Sequence, residues 1–362
     1  MKTADERSDR PNRLPTVVDV ARMAGVSRQT VSNVLNTPGI VRSETQERVR
    51  QAIEELRYRP HASARRLRTR KSSTIGVRLD PARDGISGAI LDRFLHALTE
   101  QAAALDLRAL LFTATSPQDE IDHFSRLADG SDVDAFVLTS TFHDDPRIEW
   151  LMKHELQFAM FGRPWGIDDL EDPRYPWVDV DGRAGVRAAT ESLLARGLTR
   201  IGFLGWPQGS GTGDERAGGW ESAMTEAGHG EHLNSLQERT ADAVADARVA
   251  ASRLLARVPD LQAVVAASDS LALGAIVQLQ GSLPVVGFDN TPVSEAMGFS
   301  SVDQQLDKVA EAILALLSGG GDDAPRHHLI TPKLIERSSE VLITPIRVAE
   351  TEPPRIDRKN PE

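Results

Sequence analysis

A short polar segment at residues 27–33 carries side chains of the kind that read DNA bases. Arg28, Gln29 and Thr30 directly follow Ser27, and Asn33 stands four residues after Gln29. Residues four apart lie on one face of a helix, so Gln29 and Asn33 can reach the same base edges. In the major groove arginine pairs with guanine, and glutamine or asparagine with adenine. The alternative is a solvated helix face on a small protein-binding domain.

The charge distribution favours the DNA interpretation. The 362-residue chain has a net charge of −11, yet residues 1–71 hold 16 Lys and Arg against 8 Asp and Glu. The rest of the chain holds 26 basic and 45 acidic residues. A basic segment on an acidic protein predicts contact with a polyanion. The hydroxyl groups of Ser27, Thr45 and Tyr58 are expected to bind phosphates, which fixes position rather than sequence.

Three short helices are predicted to position these side chains. Thr16 and Asp19 fit a capping box at the start of the first helix, and Gly25 permits the tight turn after it. Ser27 caps the second helix, which runs to Asn36. Two helices joined by a tight glycine turn are typical of a helix-turn-helix domain.

The third helix has its own start and stop signals. Ser43 and Gln46 fit a capping box, and Pro60 ends the helix. The helix-turn-helix domain is therefore predicted over residues 16–60, after a disordered arm at residues 1–15. The apolar residues expected to form its core are Val17, Val20, Ala21, Ala24, Val31, Val34, Leu35, Val49, Ile53 and Leu56.

From residue 72 the pattern changes to short apolar runs that alternate with helical segments. This alternation predicts an α/β domain, a parallel sheet with helices on both faces, with enough strands for two lobes. The domain is predicted over residues 72–348, before a disordered tail at 349–362. Predicted strands are Ile75–Leu79, Ala109–Phe112, Ala135–Leu138, Gln157–Phe161, Ile201–Leu204, Ala263–Ala266 and Val285–Phe288. Predicted helices are Ile90–Leu105, Gly182–Arg196, Ala241–Arg257 and Val302–Leu317.

The first segment resembles a known family. Thr16–Asn36 reads TVVDVARMAGVSRQTVSNVLN, and VRSETQERVRQAIEELRYRPHASARRLRTRKSSTIGV follows shortly after. This resembles the headpiece and hinge of the LacI/GalR family of bacterial transcription regulators. The resemblance implies that residues 61–71 form a hinge helix on operator DNA and that two such helices of a homodimer enter the minor groove. It also implies that Leu67 wedges between base pairs, with Ala64 on the same face of the helix. Asn33 and His61 stand where many members have Arg and Asn, so no base preference is transferred. The predicted DNA-binding residues are Thr16, Ser27, Arg28, Gln29, Thr30, Asn33, Thr45, Tyr58, His61, Ala64 and Leu67.

The resemblance extends to about Val348 and implies a sensor domain like a periplasmic sugar-binding protein. In that fold two doubly wound lobes are joined by three crossovers, and the ligand lies in the cleft. WVDVDGRAG at 177–185 resembles the start of the second lobe, and DERAGGW at 214–220, SDSLALG at 268–274 and VVGFDN at 285–290 resemble pocket walls. Asp269 could equally cap a helix. The predicted effector-binding residues are Arg163, Trp165, Arg216, Trp220, Ser268, Asp269, Phe288 and Asp289.

The tryptophans favour a sugar as the effector. Trp165, Trp177, Trp206 and Trp220 fall in or beside the proposed cleft segments, and sugar C–H faces pack on aromatic rings. The alternative is ordinary core packing, above all for Trp177 and Trp206. The segment 86–87 lacks the aromatic residues that many members carry there, which suits a disaccharide or glycoside.

Other classes of function have weaker signals. GSGTG at 209–213 lacks the ending of a phosphate loop, the adjacent His327 and His328 lack metal-ligand spacing, and the chain has no cysteine and no nucleophile elbow. No catalytic site, metal or cofactor is therefore expected. No signal or membrane segment is evident, so a cytoplasmic protein is expected. A sugar-binding transport component, an α/β enzyme, an activator and a nucleoside effector stay open as alternatives to a sugar-controlled repressor.

Overall fold

The computed structural model describes residues 15–58, 72–79, 88–319 and 325–337. The chain divides into two compact units, residues 1–72 and 73–362. Most of the predicted arm, the hinge at residues 61–71, the segment 86–87 and the tail at 349–362 lie outside the described residues. Each unit is built around its own core.

The first unit contains the three predicted helices, α1 (Val17–Ala24), α2 (Arg28–Asn36) and α3 (Ser43–Glu55). The Asp19 carboxylate accepts hydrogen bonds from the backbone N–H and the hydroxyl group of Thr16, at 2.9 and 2.7 Å. Gly25 ends α1 with φ = 65°, a left-handed conformation that glycine adopts without strain. Both signals that the sequence provides for α1 are therefore confirmed.

Two details of the headpiece prediction are wrong. Leu35 lies on the surface, 39% exposed, rather than in the core that Val20, Val31 and Val49 form. The capping box at α3 does not form; the Gln46 amide instead donates to the backbone carbonyls of Pro38 and Val41, both at 2.9 Å. A 3₁₀ turn at 38–40 brings these carbonyls within reach of the Gln46 side chain.

The second unit alternates strands and helices. Its strands are β1 (Thr74–Leu79), β2 (Arg108–Thr113), β3 (Ala135–Leu138), β4 (Gln157–Phe161), β5 (Trp177–Val180), β6 (Ile201–Gly205), β7 (Gln237–Arg239), β8 (Ala263–Ala266), β9 (Val285–Phe288), β10 (Ser301–Asp303), β11 (His327–Ile330) and β12 (Lys333–Ile335). Its α-helices are α4 (Ala89–Ala104), α5 (Pro117–Asp129), α6 (Pro146–Lys153), α7 (Gly182–Leu194), α8 (Thr212–Glu226), α9 (Val244–Arg257), α10 (Asp269–Gln278), α11 (Pro292–Met297) and α12 (Leu306–Leu317).

The strands form two sheets, one for each lobe. The first lobe has the order β11-β5-β4-β3-β1-β2, in which all neighbours are parallel. The second lobe has the order β12-β10-β9-β8-β6-β7, parallel except for the β10–β12 pair. The chain crosses between the lobes after β5, after β10 and after β11. Helix α12 follows β10 of the second lobe but packs on α4, β4 and β5 of the first lobe. The predicted two-lobed, doubly wound architecture is confirmed.

The predicted helix over Val302–Leu317 is wrong in its first residues. Residues 301–303 form β10, and the helix begins at Leu306. Val302 is fully buried, in a strand paired with β9 on one side and β12 on the other. Because Val302, Leu306 and Val309 keep a helical spacing across the loop, the apolar pattern does not reveal the break.

Strands β5, β7, β11 and β12 are absent from the prediction as well. Each has only three or four residues, and each includes a charged or polar side chain. Short, partly polar runs resemble loops in sequence, and neighbouring strands alone turn them into strands. No helix among the described residues is both long and apolar enough to cross a membrane.

Candidate DNA-reading surface and effector site

Helix α2 presents the predicted base-reading residues. Its first turn is fixed by Ser27, whose hydroxyl accepts a hydrogen bond from the backbone N–H of Thr30 at 3.0 Å. Arg28 and Gln29 are exposed, and the Gln29 amide donates to the Asn33 side-chain oxygen at 3.0 Å. This pairing leaves the Gln29 oxygen as an acceptor and the Asn33 amide as a donor. An adenine edge offers the complementary donor and acceptor.

The proposed phosphate contacts have different surroundings. Thr45 is half-buried in the first turns of α3. Tyr58 is 8% exposed, packs in the headpiece core, and has its pKa raised by burial. The Thr16 hydroxyl is engaged by Asp19. The phosphate roles of these residues stay predictions, and His61, Ala64 and Leu67 lie outside the described residues.

The candidate effector site lies at the carboxyl ends of the parallel strands. Trp206 directly follows β6, Ser268 comes two residues after β8, Asp289 follows β9 and Gln304 follows β10. Loops after parallel strands meet at one edge of the sheet, which is where doubly wound proteins bind ligands. The four residues therefore line the side of the second lobe on which a ligand is expected.

Arg216 of α8 is the centre of this cluster. Its side chain is buried, and its guanidinium carbon lies 3.7 Å from the ring centre of Phe288 and 4.8 Å from that of Trp206. One guanidinium nitrogen donates to the backbone carbonyl of Ala267 and lies 3.7 Å from a carboxylate oxygen of Asp289. Two aromatic faces and a carbonyl thus hold a cation against a carboxylate, while the effector-binding roles of Arg216 and Asp289 stay predictions.

Burial shifts both partners toward their neutral forms. It raises the pKa of Asp289 to about 8, against the opposing attraction of Arg216. It also lowers the pKa of Arg216, although the carboxylates of Asp289 and Asp242 oppose that shift. At 3.7 Å the pair makes no hydrogen bond, and Asp289 instead accepts one from the Gln304 amide at 2.6 Å. A carboxyl group that titrates near neutral pH can both donate to and accept from a ligand hydroxyl.

Ser268 and Asp269 have structural partners. The Ser268 hydroxyl accepts from the backbone N–H of Leu271, which caps α10, and donates to Asp242. Asp269 is fully buried and accepts from the backbone N–H and the hydroxyl of Thr291 and from the hydroxyl of Ser301. Asp269 therefore neither caps α10 nor lines the cleft; it ties together the loop after β9 and the start of β10.

The first lobe contributes Arg163 and Trp165, which follow β4. The Arg163 guanidinium donates to Asp179 at 2.8 Å, lies 3.7 Å from Glu215 of α8, and stacks 4.7 Å from the ring centre of Trp165. Burial raises the pKa of Asp179, and Arg163 opposes that shift. Because α8 belongs to the second lobe, Arg163 contacts both lobes.

Two of the predicted tryptophans belong to the core. Trp220 is fully buried, stacks on Phe203, and donates its indole N–H to the carbonyl of Ile201 at 3.1 Å. The structure thus places Trp220 outside the cleft, contrary to the prediction, because it lies one turn beyond Arg216 and reaches β6 instead. Trp177 is likewise buried and donates to a backbone carbonyl.

Three donors at the site are buried without a hydrogen-bond partner among the described residues. They are the indole N–H groups of Trp165 and Trp206 and the Nε of Arg216. Buried polar groups in native proteins nearly always find a partner, so donors of this kind mark a place where a ligand or water binds. Sequence reasoning missed Asp179, Asp242 and Gln304, which lie within or shortly after β5, β7 and β10.

The site has the composition of a binding site. Carboxylates, guanidinium groups and indoles surround it, and the described residues contain no cluster of His, Asp or Glu that could hold a metal ion. Residues 16–61 match the family model of bacterial regulatory proteins of the lacI family, and residues 91–318 match periplasmic binding proteins and the sugar binding domain of the LacI family. This chain belongs to the LacI family.

Relatives of this LacI-family chain are known from sequence and structure. The transcriptional regulator CelR of Thermobifida fusca is 33% identical over 320 residues, 84% of this chain and 91% of CelR. A structure of CelR with cellobiose has a TM-score of 0.66 at 29% identity and covers 90% of this chain and 99% of that one. A LacI-family regulatory protein from Chloroflexus aggregans has a TM-score of 0.68 at 30% identity and covers 74% and 98%. The predicted DNA-binding transcription regulator with a small-molecule sensor domain is confirmed.

Proposed function

We propose that this LacI-family regulator is a homodimeric repressor whose operator binding is controlled by an uncharged sugar, such as a disaccharide. The observation that carries the proposal is the buried cluster around Arg216 and Asp289, which offers both donors and acceptors. A sugar hydroxyl is a donor and an acceptor at once, so it suits a site of mixed character. Trp165 and Trp206 supply indole rings beside it, on which sugar C–H faces pack.

The charges of the cluster favour a neutral ligand. The two cations, Arg163 and Arg216, have carboxylates close by. Glu215 is also paired with Arg183, so the cationic and acidic groups of the cluster already have one another as partners. A phosphate or carboxylate on the ligand would have to bind a cation that already has an acidic partner, and it would lie close to that partner in a buried setting, at a cost in free energy. A glycoside without ionised groups avoids that cost. We assign the site a binding role, because Asp179 is hydrogen-bonded to Arg163 and Asp289 to Gln304.

The DNA-binding part of the proposal rests on α2 and on the basic segment that follows the headpiece. Arg28, Gln29, Thr30 and Asn33 read base edges, and Leu67 of the hinge wedges into the minor groove between central base pairs. Two headpieces related by a two-fold axis require two inverted half-sites, so the operator is a near-palindrome. Such a regulator works on the chromosome, so we expect this protein in the bacterial cytoplasm.

A gel shift with DNA from upstream of the protein's own gene tests the proposal. We expect one shifted species with the mass of two chains, and its release or strengthening by a sugar. Cellobiose is the first probe because a CelR relative binds it. Maltose tests whether the glycosidic linkage matters, glucose 6-phosphate tests whether a charged sugar is accepted, and adenosine tests the nucleoside alternative. A response to adenosine or to the phosphate alone would contradict the assignment of a neutral sugar. Specific binding by a monomer would contradict the dimer.

A further inference from the structure

A contact between the lobes joins Trp165 and Gly211. Trp165 follows β4 of the first lobe, and Gly211 precedes α8 of the second. The Trp165 ring lies so close that a Cβ atom placed on Gly211 would stand 2.5, 2.7 and 2.8 Å from three of its atoms. Carbon atoms in contact are about 3.5–4.0 Å apart. Only a glycine therefore allows the indole to lie against this turn.

Arg163 and Glu215 flank the same contact. Arg163 stacks on Trp165 and reaches Asp179 in its own lobe, while its other guanidinium edge faces Glu215 on the first turn of α8. The four residues Arg163, Trp165, Gly211 and Glu215, here called the clasp, thus connect the two walls of the effector site. The Trp165 indole N–H is buried and has no partner among the described residues.

We propose that Gly211 is a positioning residue for effector binding: by lacking a side chain it lets Trp165 cover the effector while the clasp joins the two lobes. The effector is then held between Arg216 and Asp289 of the second lobe and the Trp165 indole of the first. Affinity depends on closure, because a ligand binds tightly only to the state that presents all its contacts. This inference rests on the proposed function and adds the residue that makes closure possible.

Gly209 provides a matched control two residues away. Gly209 and Gly211 both have positive φ angles, 83° and 60°, so alanine strains the backbone at either position. A Cβ atom on Gly209 meets nothing within 4 Å. Gly211→Ala therefore adds a collision with Trp165 that Gly209→Ala lacks, and Trp165→Ala removes the ring that causes it.

The first measurement needs no effector. Thermal unfolding of the full chain is measured for Gly211→Ala and for Gly209→Ala. Each of the two changes is made once in the chain that keeps Trp165 and once in the chain that carries Trp165→Ala. We expect Gly211→Ala to lower Tm more than Gly209→Ala when Trp165 is present, and this excess to shrink when Trp165 is replaced, as coupled residues require. Equal losses in both backgrounds would overturn the proposal, because the contact would then not form in solution.

The second measurement is calorimetric titration with cellobiose. We expect Gly211→Ala to raise the Kd at least about tenfold, Gly209→Ala to leave it within about twofold, and Gly211→Ala to add nothing once Trp165→Ala is present. Coupling in Tm without a change in Kd would overturn the positioning role. If the wild-type protein binds none of the sugars tested above, the proposed function fails and this role with it, while the Tm cycle still shows whether the clasp exists.

Discussion

Replacing Asp289 by asparagine is expected to stabilise the protein at neutral pH and to weaken its response to the effector. Burial raises the pKa of Asp289 to about 8, whereas aspartate in an unfolded chain titrates at about 3.9. The folded protein holds a proton that the unfolded chain releases. Stability is therefore fully present below about pH 4 and is lost as the pH rises toward about 8.

The size of the effect follows from the pKa difference. One pKa unit corresponds to about 1.36 kcal/mol, so at pH 7 the loss reaches about 4 kcal/mol at most. Asparagine does not titrate and escapes this loss. It keeps the shape of the side chain, and its oxygen can still accept the hydrogen bond from Gln304. Effector binding nevertheless weakens about tenfold or more, because the group that faces Arg216 no longer carries a charge or a hydroxyl proton.

Calorimetric unfolding across the pH range measures this effect. The Tm advantage of Asp289→Asn should grow between about pH 4 and about pH 8 and then level off. Asp269→Asn is a contrasting variant: burial raises the pKa of Asp269 too, but its carboxyl group accepts three hydrogen bonds from Thr291 and Ser301. In Asp269→Asn the side-chain amide N–H group would face those hydrogen-bond donors, which should lower the free energy of unfolding by about 1–3 kcal/mol. An advantage of Asp289→Asn that is absent or independent of pH would refute the reasoning.

Three further predictions concern the DNA surface and the tryptophans. In gel shifts, Gln29→Ala should cost about 1–3 kcal/mol of operator binding and relax the preference at one base pair, with binding to random DNA unchanged. Leu67→Ala should weaken operator binding more than binding to random DNA, because a wedge acts only where DNA is kinked; equal losses would identify an ordinary linker residue. Trp206→Phe should weaken cellobiose binding about tenfold through the lost indole N–H, whereas Trp220→Phe should lower Tm and leave the Kd within about twofold.

The sequence by itself determined the parts of this protein that depend on local signals. The cap formed by Thr16 and Asp19, the turn at Gly25 and the cap at Ser27 are short-range interactions, so the pattern of residues is sufficient to predict them. Strands such as β3, β4, β8 and β9 are continuous apolar runs that must be buried on both faces, and their bounds were predicted to the residue.

Only the tertiary structure decided which polar side chains meet. Strands β5, β7 and β10 are too short and too polar to recognise alone, and the missed site residues Asp179, Asp242 and Gln304 lie within or just after them. Trp220 lies one helical turn after Arg216, so the sequence places both on one face of α8. In the structure Trp220 reaches Ile201 of β6 in the core, whereas Arg216 lies beside Asp289, which follows β9. The clasp joins residues 165 and 211 across two lobes. Such contacts depend on how distant elements pack, and no local pattern of residues encodes that packing.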